Sequence, residues 1–161
     1  MATEDLASYL NDHLAGSVTA LELFDFLIKK QEGTAAGQVL TRLREEVAAD
    51  RRELEALMLR LDISQSRTRK ATAYLGEKFS ELKLRGDDPS GNYHLLQTLD
   101  VLSAGIEGKA LLWRALAAAA QDVPALQVLK YDLLIERAET QRNQVEELRI
   151  AAARAALGKS G

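Results

Sequence analysis

Four stretches of this chain repeat apolar residues at alternating spacings of three and four, and each repeat contains one polar residue near its middle. The rows run through Ala7, Leu10, Leu14, Ser17, Leu21, Phe24 and Ile28; Leu40, Leu43, Val47, Asp50, Leu54, Leu57 and Leu61; Leu95, Leu99, Leu102, Ile106, Lys109, Trp113 and Leu116; and Leu134, Ala138, Gln141, Val145, Leu148, Ala152 and Ala155. This period is typical of one face of an α-helix that packs against other helices. The pattern predicts an all-α antiparallel four-helix bundle, with polar side chains at the same level half-way along.

Capping and turn residues between the rows set the predicted helix bounds. We expect helices at about residues 4–31, 37–61 and 92–121, with Thr3 capping the first and Gly33 following its end. Asp122 and Pro124 are expected to open a fourth helix that closes near Gly158. Residues 64–92 are longer than a simple connection, so a short additional helix is predicted at about residues 66–84.

The third row can be written in two frames, because a straight helix drifts relative to a strict seven-residue repeat. One frame places Lys109 on the inner face, and the other places Ser103 there, with Glu107 beside it. Leu95, Leu102 and Leu116 belong to the first frame, which favours Lys109.

Composition limits the classes of protein that this chain can be. With 161 residues, 47% hydrophobic and 28% charged, one domain spanning residues 1–161 can bury a core and solvate its surface. A net charge of -3 offers no general attraction to nucleic acid or to anionic membranes. The absence of Cys excludes thiolate metal sites and agrees with a cytoplasmic location, and no signal peptide or membrane anchor is expected from the sequence.

Several short strings of the sequence carry a family resemblance that covers most of the chain. They are Leu-Asn-Asp-His-Leu-Ala-Gly at 10–16, Gly-Glu-Lys-Phe at 76–79, Leu-Lys-Leu-Arg-Gly at 82–86, Gly-Ile-Glu-Gly-Lys at 105–109 and Leu-Trp at 112–113. In these strings the chain resembles uncharacterised bacterial ferritin-like four-helix-bundle proteins, a family without an assigned activity. The resemblance implies a ferritin-like bundle and no particular reaction.

The wider ferritin-like class implies a di-metal centre, and here the sequence departs from it. Such a centre takes a Glu from each of two helices and a Glu-x-x-His pair from each of the other two. Neither His completes that motif, because Leu10 stands three residues before His13 and Gly91 three residues before His94. The sequence therefore predicts no di-metal centre and no cofactor. An all-oxygen site for a hard cation remains the alternative, with the candidate ligands Glu22, Glu46, Asp50 and Glu107.

The polar residues in the middle of the rows have two interpretations. In the preferred one they form a structural polar layer, in which Asp50 accepts from Lys109 while Ser17 and Gln141 complete the hydrogen bonds. A buried carboxylate left alone would cost several kcal/mol, so an inward Asp requires a partner. In the alternative, Asp50 lies at the edge of the bundle and is held by Arg51 or by the other Glu and Arg residues around it.

Three glycines interrupt helices at positions where each costs roughly 1 kcal/mol relative to Ala. For Gly16, Gly105 and Gly108 we expect close approach between helices, with a ligand site as the alternative. Trp113 is expected to be a core residue whose indole N–H finds a partner. His13 is expected to be structural, bonded to Asp or to the backbone.

These observations favour a non-catalytic structural or interaction protein. The alternatives are a metal-dependent oxidase or stress protein with the all-carboxylate site, and a bundle that binds a small ligand. A homo-oligomer is expected, because Leu23, Phe26, Leu27, Leu126, Val128 and Leu133 lie outside the inner rows. The predicted short helix carries a basic face, Arg67, Arg69, Lys70, Lys78, Lys83 and Arg85, that suits an acidic protein partner and not sequence-specific nucleic-acid binding.

Overall fold

The computed structural model describes residues 2–66, 77, 80–82 and 90–158. In this part of the chain, four long helices are present: α1 (Glu4–Lys30), α2 (Ala35–Arg60), α3 (Asn92–Ala119) and α4 (Tyr131–Leu157). A short 3-10 helix, Pro124–Leu126, lies between α3 and α4, and no described residue is in a strand. The all-α prediction is therefore confirmed. None of the helices among these residues combines the length and apolar character that crossing a membrane requires.

The first two helices begin at threonine caps. The Thr3 hydroxyl accepts from the Leu6 amide at 3.1 Å, as its position in the sequence predicts. The Thr34 hydroxyl accepts from the Gly37 amide at 3.0 Å, so α2 starts at Ala35, two residues before the predicted start. A Cβ at Gly37 would collide with the Gln31 carbonyl oxygen, which explains why this tight turn uses glycine there.

The end of α2 is a Schellman motif formed without glycine. Asp62 takes the left-handed conformation at φ 56°. Its amide donates to the Leu59 carbonyl at 3.1 Å, and the Ile63 amide donates to the Met58 carbonyl at 2.9 Å. Ile63 then packs in the same apolar cluster as Met58, which directs the chain back over the end of the helix.

The predicted start of the fourth helix is wrong. Pro124 opens the 3-10 helix, and α4 begins only at Tyr131. The Tyr131 hydroxyl donates to the Leu126 carbonyl at 2.6 Å, and both residues are buried. The chain thus buries Leu126 by forming the short 3-10 helix before Tyr131, where the sequence predicted the first turns of α4.

Two apolar clusters show how the helices run. The first cluster joins the C-terminal half of α1 to the N-terminal halves of α2 and α3 and the C-terminal half of α4; it includes Phe24, Leu40, Leu99 and Val145. The second cluster joins the opposite halves and includes Leu10, Leu57, Trp113 and Leu134. Helices α1 and α4 therefore run one way and α2 and α3 the other. The end of α2 and the beginning of α3 lie at opposite ends of the packed helices.

Helix α1 packs along α2, α3 along α4, and α1 also packs on α3. Leu23, Leu27 and Leu126, from which the sequence predicts a self-associating surface, are buried within the chain. They supply no such surface, so the prediction of a homo-oligomer rests on Val128 and Leu133, which are 45% and 58% exposed, and on Phe26, which is half-buried.

Most of the predicted short helix, including all the cations of its basic face, lies outside the described residues. Residues 77 and 80–82 of that stretch are helical. Leu82 is buried, and its carbonyl oxygen contacts Nε2 of His94 at the start of α3. The interaction of the basic face with an acidic partner stays a prediction.

Candidate functional site

A buried carboxylate lies at the middle of the packed helices, where α2, α3 and α4 meet. Asp50 is 1% exposed. Its Oδ2 accepts from Nζ of Lys109 at 2.6 Å and from Nε2 of Gln141 at 3.2 Å, while its Oδ1 accepts from Nη2 of Arg137. Lys109 also donates to Oε1 of Gln141. We call Asp50, Lys109, Arg137 and Gln141 the polar layer.

Burial sets the electrostatics of the polar layer. Loss of solvent lowers the pKa of the Lys109 ammonium below its ordinary value, and the negative charge and hydrogen bond of Asp50 act in the opposite direction. Arg137 on α4 lowers it further, while Glu46 on α2 raises it. Because two cations share one buried carboxylate, each charge in the layer depends on the others.

The structure brings together three of the four residues predicted for this layer. Asp50, Lys109 and Gln141 are in mutual contact, and it is Lys109, not Ser103, that points inward on α3. Ser17 is not part of the layer, since its hydroxyl donates to the Leu14 carbonyl of its own helix at 2.6 Å.

The alternative position of Asp50 at the edge of the bundle is wrong, because this side chain is buried and Arg51 pairs with Glu55 at 3.1 Å. Sequence reasoning missed Arg137. The available signal was its position one turn before Gln141 on α4, from which a long side chain can reach the middle of the bundle.

The alternative metal ligands are not brought together. Glu22 is exposed and Glu46 is half-buried. Glu107 accepts from Nη1 of Arg142 at 2.7 Å and lies 3.5 Å from Nη1 of Arg114. Across the residues that the structure describes, no three His, Asp or Glu side chains are grouped to hold a metal ion. The Lys109 ammonium and the Arg137 guanidinium already contact the Asp50 carboxylate, so the residues present do not fit a di-metal centre.

Beside the polar layer lies a cavity of about 310 Å³ between α1, α2 and α3. Its small and apolar lining residues are Gly16, Ala20, Val47, Leu54, Ala104, Gly105, Ile106, Gly108, Leu112 and Trp113. Its polar lining residues are Asp12, His13, Ser17, Asp50, Arg51 and Lys109. The cavity is thus a largely apolar space with the Asp50–Lys109 pair in its wall.

The two glycines of α3 line open space. Among the described residues, no neighbouring atom lies within 4 Å of a Cβ built on Gly105 or on Gly108. The prediction that these two glycines allow close approach between helices is therefore wrong. Their missing side chains leave room in the cavity, which agrees with the alternative of a ligand site at these positions.

Trp113 and His13 form parts of the same wall. Trp113 is 1% exposed, as expected of a core residue, but its indole N–H has no hydrogen-bond partner within the described residues. The ring of His13 contacts that of Tyr9 edge-on, with centroids 4.7 Å apart. Burial lowers the pKa of His13, and Asp12 opposes this shift.

Asp50, Lys109 and Trp113 could be singled out from the sequence as inward residues, but the cavity beside them could not. The chain contains no motif that assigns a reaction to this site. Comparison of the chain with family models, with curated proteins and with solved structures finds no match.

Proposed function

We propose that this protein binds a small, predominantly apolar molecule in the cavity between α1, α2 and α3. The observation that carries the proposal is the empty space over Gly105 and Gly108. A mid-helix glycine destabilises a helix by roughly 1 kcal/mol relative to alanine. Two such glycines on one helix, with no described residue close enough to require them, favour a role in keeping the cavity open.

The size and the lining of the cavity support this proposal. Ligand pockets typically enclose about 300–1,000 Å³ and have apolar walls with a few polar groups. The volume here, about 310 Å³, lies at the small end of that range. Asp50 is paired with Lys109, and Arg51 with Glu55, so these lining charges already have partners in the protein. Such an arrangement suits binding better than bond breaking, and the proposed role is non-catalytic.

For the architecture we propose a ferritin-like four-helix bundle. The order of helix directions and the wide sequence separation of α2 and α3 support this assignment, since ferritin-like folds have one long crossover connection. In this proposal the polar layer takes the place of the metal centre, with the cations of Lys109 and Arg137 neutralising Asp50.

Substitution of the two glycines tests the function. We predict that Gly105→Ala or Gly108→Ala raises the free energy of unfolding by about 0.5–1 kcal/mol, because the Cβ enters open space and alanine favours helix. Gly105→Leu fills the cavity and should weaken ligand binding at least tenfold. The measurements are chemical denaturation and ligand-detected NMR with a library of small apolar compounds.

The matched control is Ala115→Leu, which adds side-chain volume at an exposed position of α3. This variant should bind like the original protein. If compounds bind equally well to the original protein and to Gly105→Leu, they do not occupy the cavity, and the proposed function is wrong.

A further inference from the structure

We infer that the ligand of this cavity carries a carboxylate, held by the Lys109 ammonium. The inference rests on the proposed function and adds the chemical class of the ligand, a small monocarboxylic acid with an apolar body. Three features of the cavity wall lead to it.

The first feature is a spare donor on Lys109. An ammonium has three N–H groups. Within the described part of the chain, one donates to Oδ2 of Asp50 and one to Oε1 of Gln141. The third has no protein acceptor there, although the side chain is only 14% exposed and lines the cavity. A nearly buried N–H of a cation is costly to leave unpaired.

The second feature is the indole of Trp113. Trp113 follows Lys109 by four residues on α3, so both side chains lie on one face of the helix, one turn apart. Its N–H is buried away from the cavity, so Trp113 offers a ligand its ring and not a hydrogen bond. The ring lines the same cavity as Lys109, so it packs against the apolar body of a ligand whose acceptor oxygens Lys109 holds.

The third feature is the charge of the polar layer. Asp50 accepts three hydrogen bonds, from Lys109, Arg137 and Gln141, so its acceptor capacity is largely used. Two cations contact this single carboxylate directly, and Glu46 acts on Lys109 only at longer range. The layer thus has a net positive charge, and a carboxylate on the ligand would form a charge-assisted hydrogen bond with Lys109, a type about twice as strong as a neutral one.

The remaining walls determine the rest of the ligand. Val47, Leu54, Ile106 and Leu112 are apolar, and Gly105 and Gly108 leave the space into which an alkyl or aryl group fits. Asp12 and His13 on α1 also line the cavity. Asp12 disfavours a second anionic group, so we assign a monocarboxylate and not a dicarboxylate.

The test uses the full chain and a matched series of probes: straight-chain and aryl monocarboxylates, their primary amides and their alcohols. Because Trp113 is the only Trp in the chain, its fluorescence reports directly on the cavity, and calorimetry gives the affinities. We expect the acids to bind at least tenfold tighter than their amides and alcohols. Lys109→Met should remove that preference, while the exposed-site control Lys29→Met should retain it.

Lys109→Gln is the second variant, measured by calorimetry, and it keeps the test decisive if Lys109→Met does not fold, because an amide can still donate to Asp50. We expect it, too, to remove the preference for acids. Equal affinity for acids and amides, or an acid preference that survives Lys109→Met, overturns the carboxylate assignment and leaves cavity binding in place. If acids, amides and alcohols all fail to bind, both the inference and the proposed function are overturned.

Discussion

At the scale of single residues, several side chains occupy positions that their chemistry alone does not favour. Asp62 adopts a left-handed backbone conformation at the C-terminal end of α2, where the helix dipole also disfavours a negative charge. Gly105 and Gly108 stand within a helix with open space where a side chain would be. The conformation of Asp62 lowers the stability of the protein but lets the chain change direction sharply. Gly105 and Gly108 also lower the stability, but they leave space in the cavity.

The left-handed conformation of Asp62 is unfavourable for a residue with a side chain. Asp62→Gly should raise the free energy of unfolding by about 0.5–1 kcal/mol, because glycine adopts positive φ without steric cost and the substitution removes a charge from the helix end. Urea denaturation measures the change. Asp132→Gly, in the first turn of α4, is the opposite control and should destabilise the protein. A loss of stability in Asp62→Gly would show that its side chain makes a stabilising interaction.

At the scale of helices, the polar layer connects three elements that apolar contacts alone would leave free to slide. Asp50 on α2 accepts from Lys109 on α3 and from Gln141 on α4 at one level. A shift of one helix by a turn would move a charge into the apolar clusters on either side, at a cost of several kcal/mol. The layer therefore selects one register of α2, α3 and α4.

Removing one charge of this layer should cost more than removing two. Asp50→Leu leaves Lys109 buried beside an uncharged residue and should destabilise the protein by about 3–5 kcal/mol. Lys109→Met should cost less, about 1–3 kcal/mol, because Asp50 keeps Arg137 and Gln141. The double variant should recover much of the loss, since Arg137 is 35% exposed and can turn toward water.

Equilibrium denaturation of the two single variants and the double variant measures the coupling energy between these residues. The expected coupling is a few kcal/mol. Strictly additive effects would show that Asp50 and Lys109 do not stabilise each other and would contradict this account of the layer.

At the scale of the whole molecule, two apolar clusters lie at opposite ends, with the polar layer and the cavity between them. The two apolar clusters stabilise the fold by burying apolar surface. The polar layer between them fixes the register of the helices, and the cavity leaves space for a ligand. Protonation of a residue beside the cavity therefore changes the free energy of unfolding of the whole protein.

The pH dependence of stability should include a contribution from His13. Burial lowers its pKa in the folded protein below the ordinary value of about 6.5, so below that pH the unfolded chain binds the proton more strongly. Stability should therefore fall as the pH decreases from about 7.5 through the lowered pKa of His13, and become independent of this group at lower pH. Thermal denaturation between pH 7.5 and 5 measures the trend.

The comparison variant is His13→Phe, which keeps an aromatic contact with Tyr9 and removes the titrating group. Its stability should depend less on pH in this interval than that of the original protein. An identical pH dependence in the two proteins would contradict the assignment to His13.

Much of the architecture could be predicted because helix periodicity is a local property of the chain. Every member of the α2 row from Leu40 to Leu57 is buried, Leu61 at its end is half-buried, and Thr3 caps α1 as predicted. The start of α4 was mispredicted because Pro124 fits the first turn of an α-helix and of a 3-10 helix equally well. Only the burial of Leu126 and Tyr131 distinguishes them.

The sequence by itself determined that the protein is helical, which face of α2 is apolar, and that Asp50 needs a cation, because these follow from residue spacing and from the cost of burying a charge. Only the tertiary structure decided that Arg137 shares Asp50 with Lys109, that Ser17 bonds within its own helix, and that Gly105 and Gly108 line empty space. These contacts join residues far apart in the chain, and they depend on the distances and rotations between helices. A periodic pattern shows which side of a helix is inside, whereas the space left between three such sides is a property of their packing.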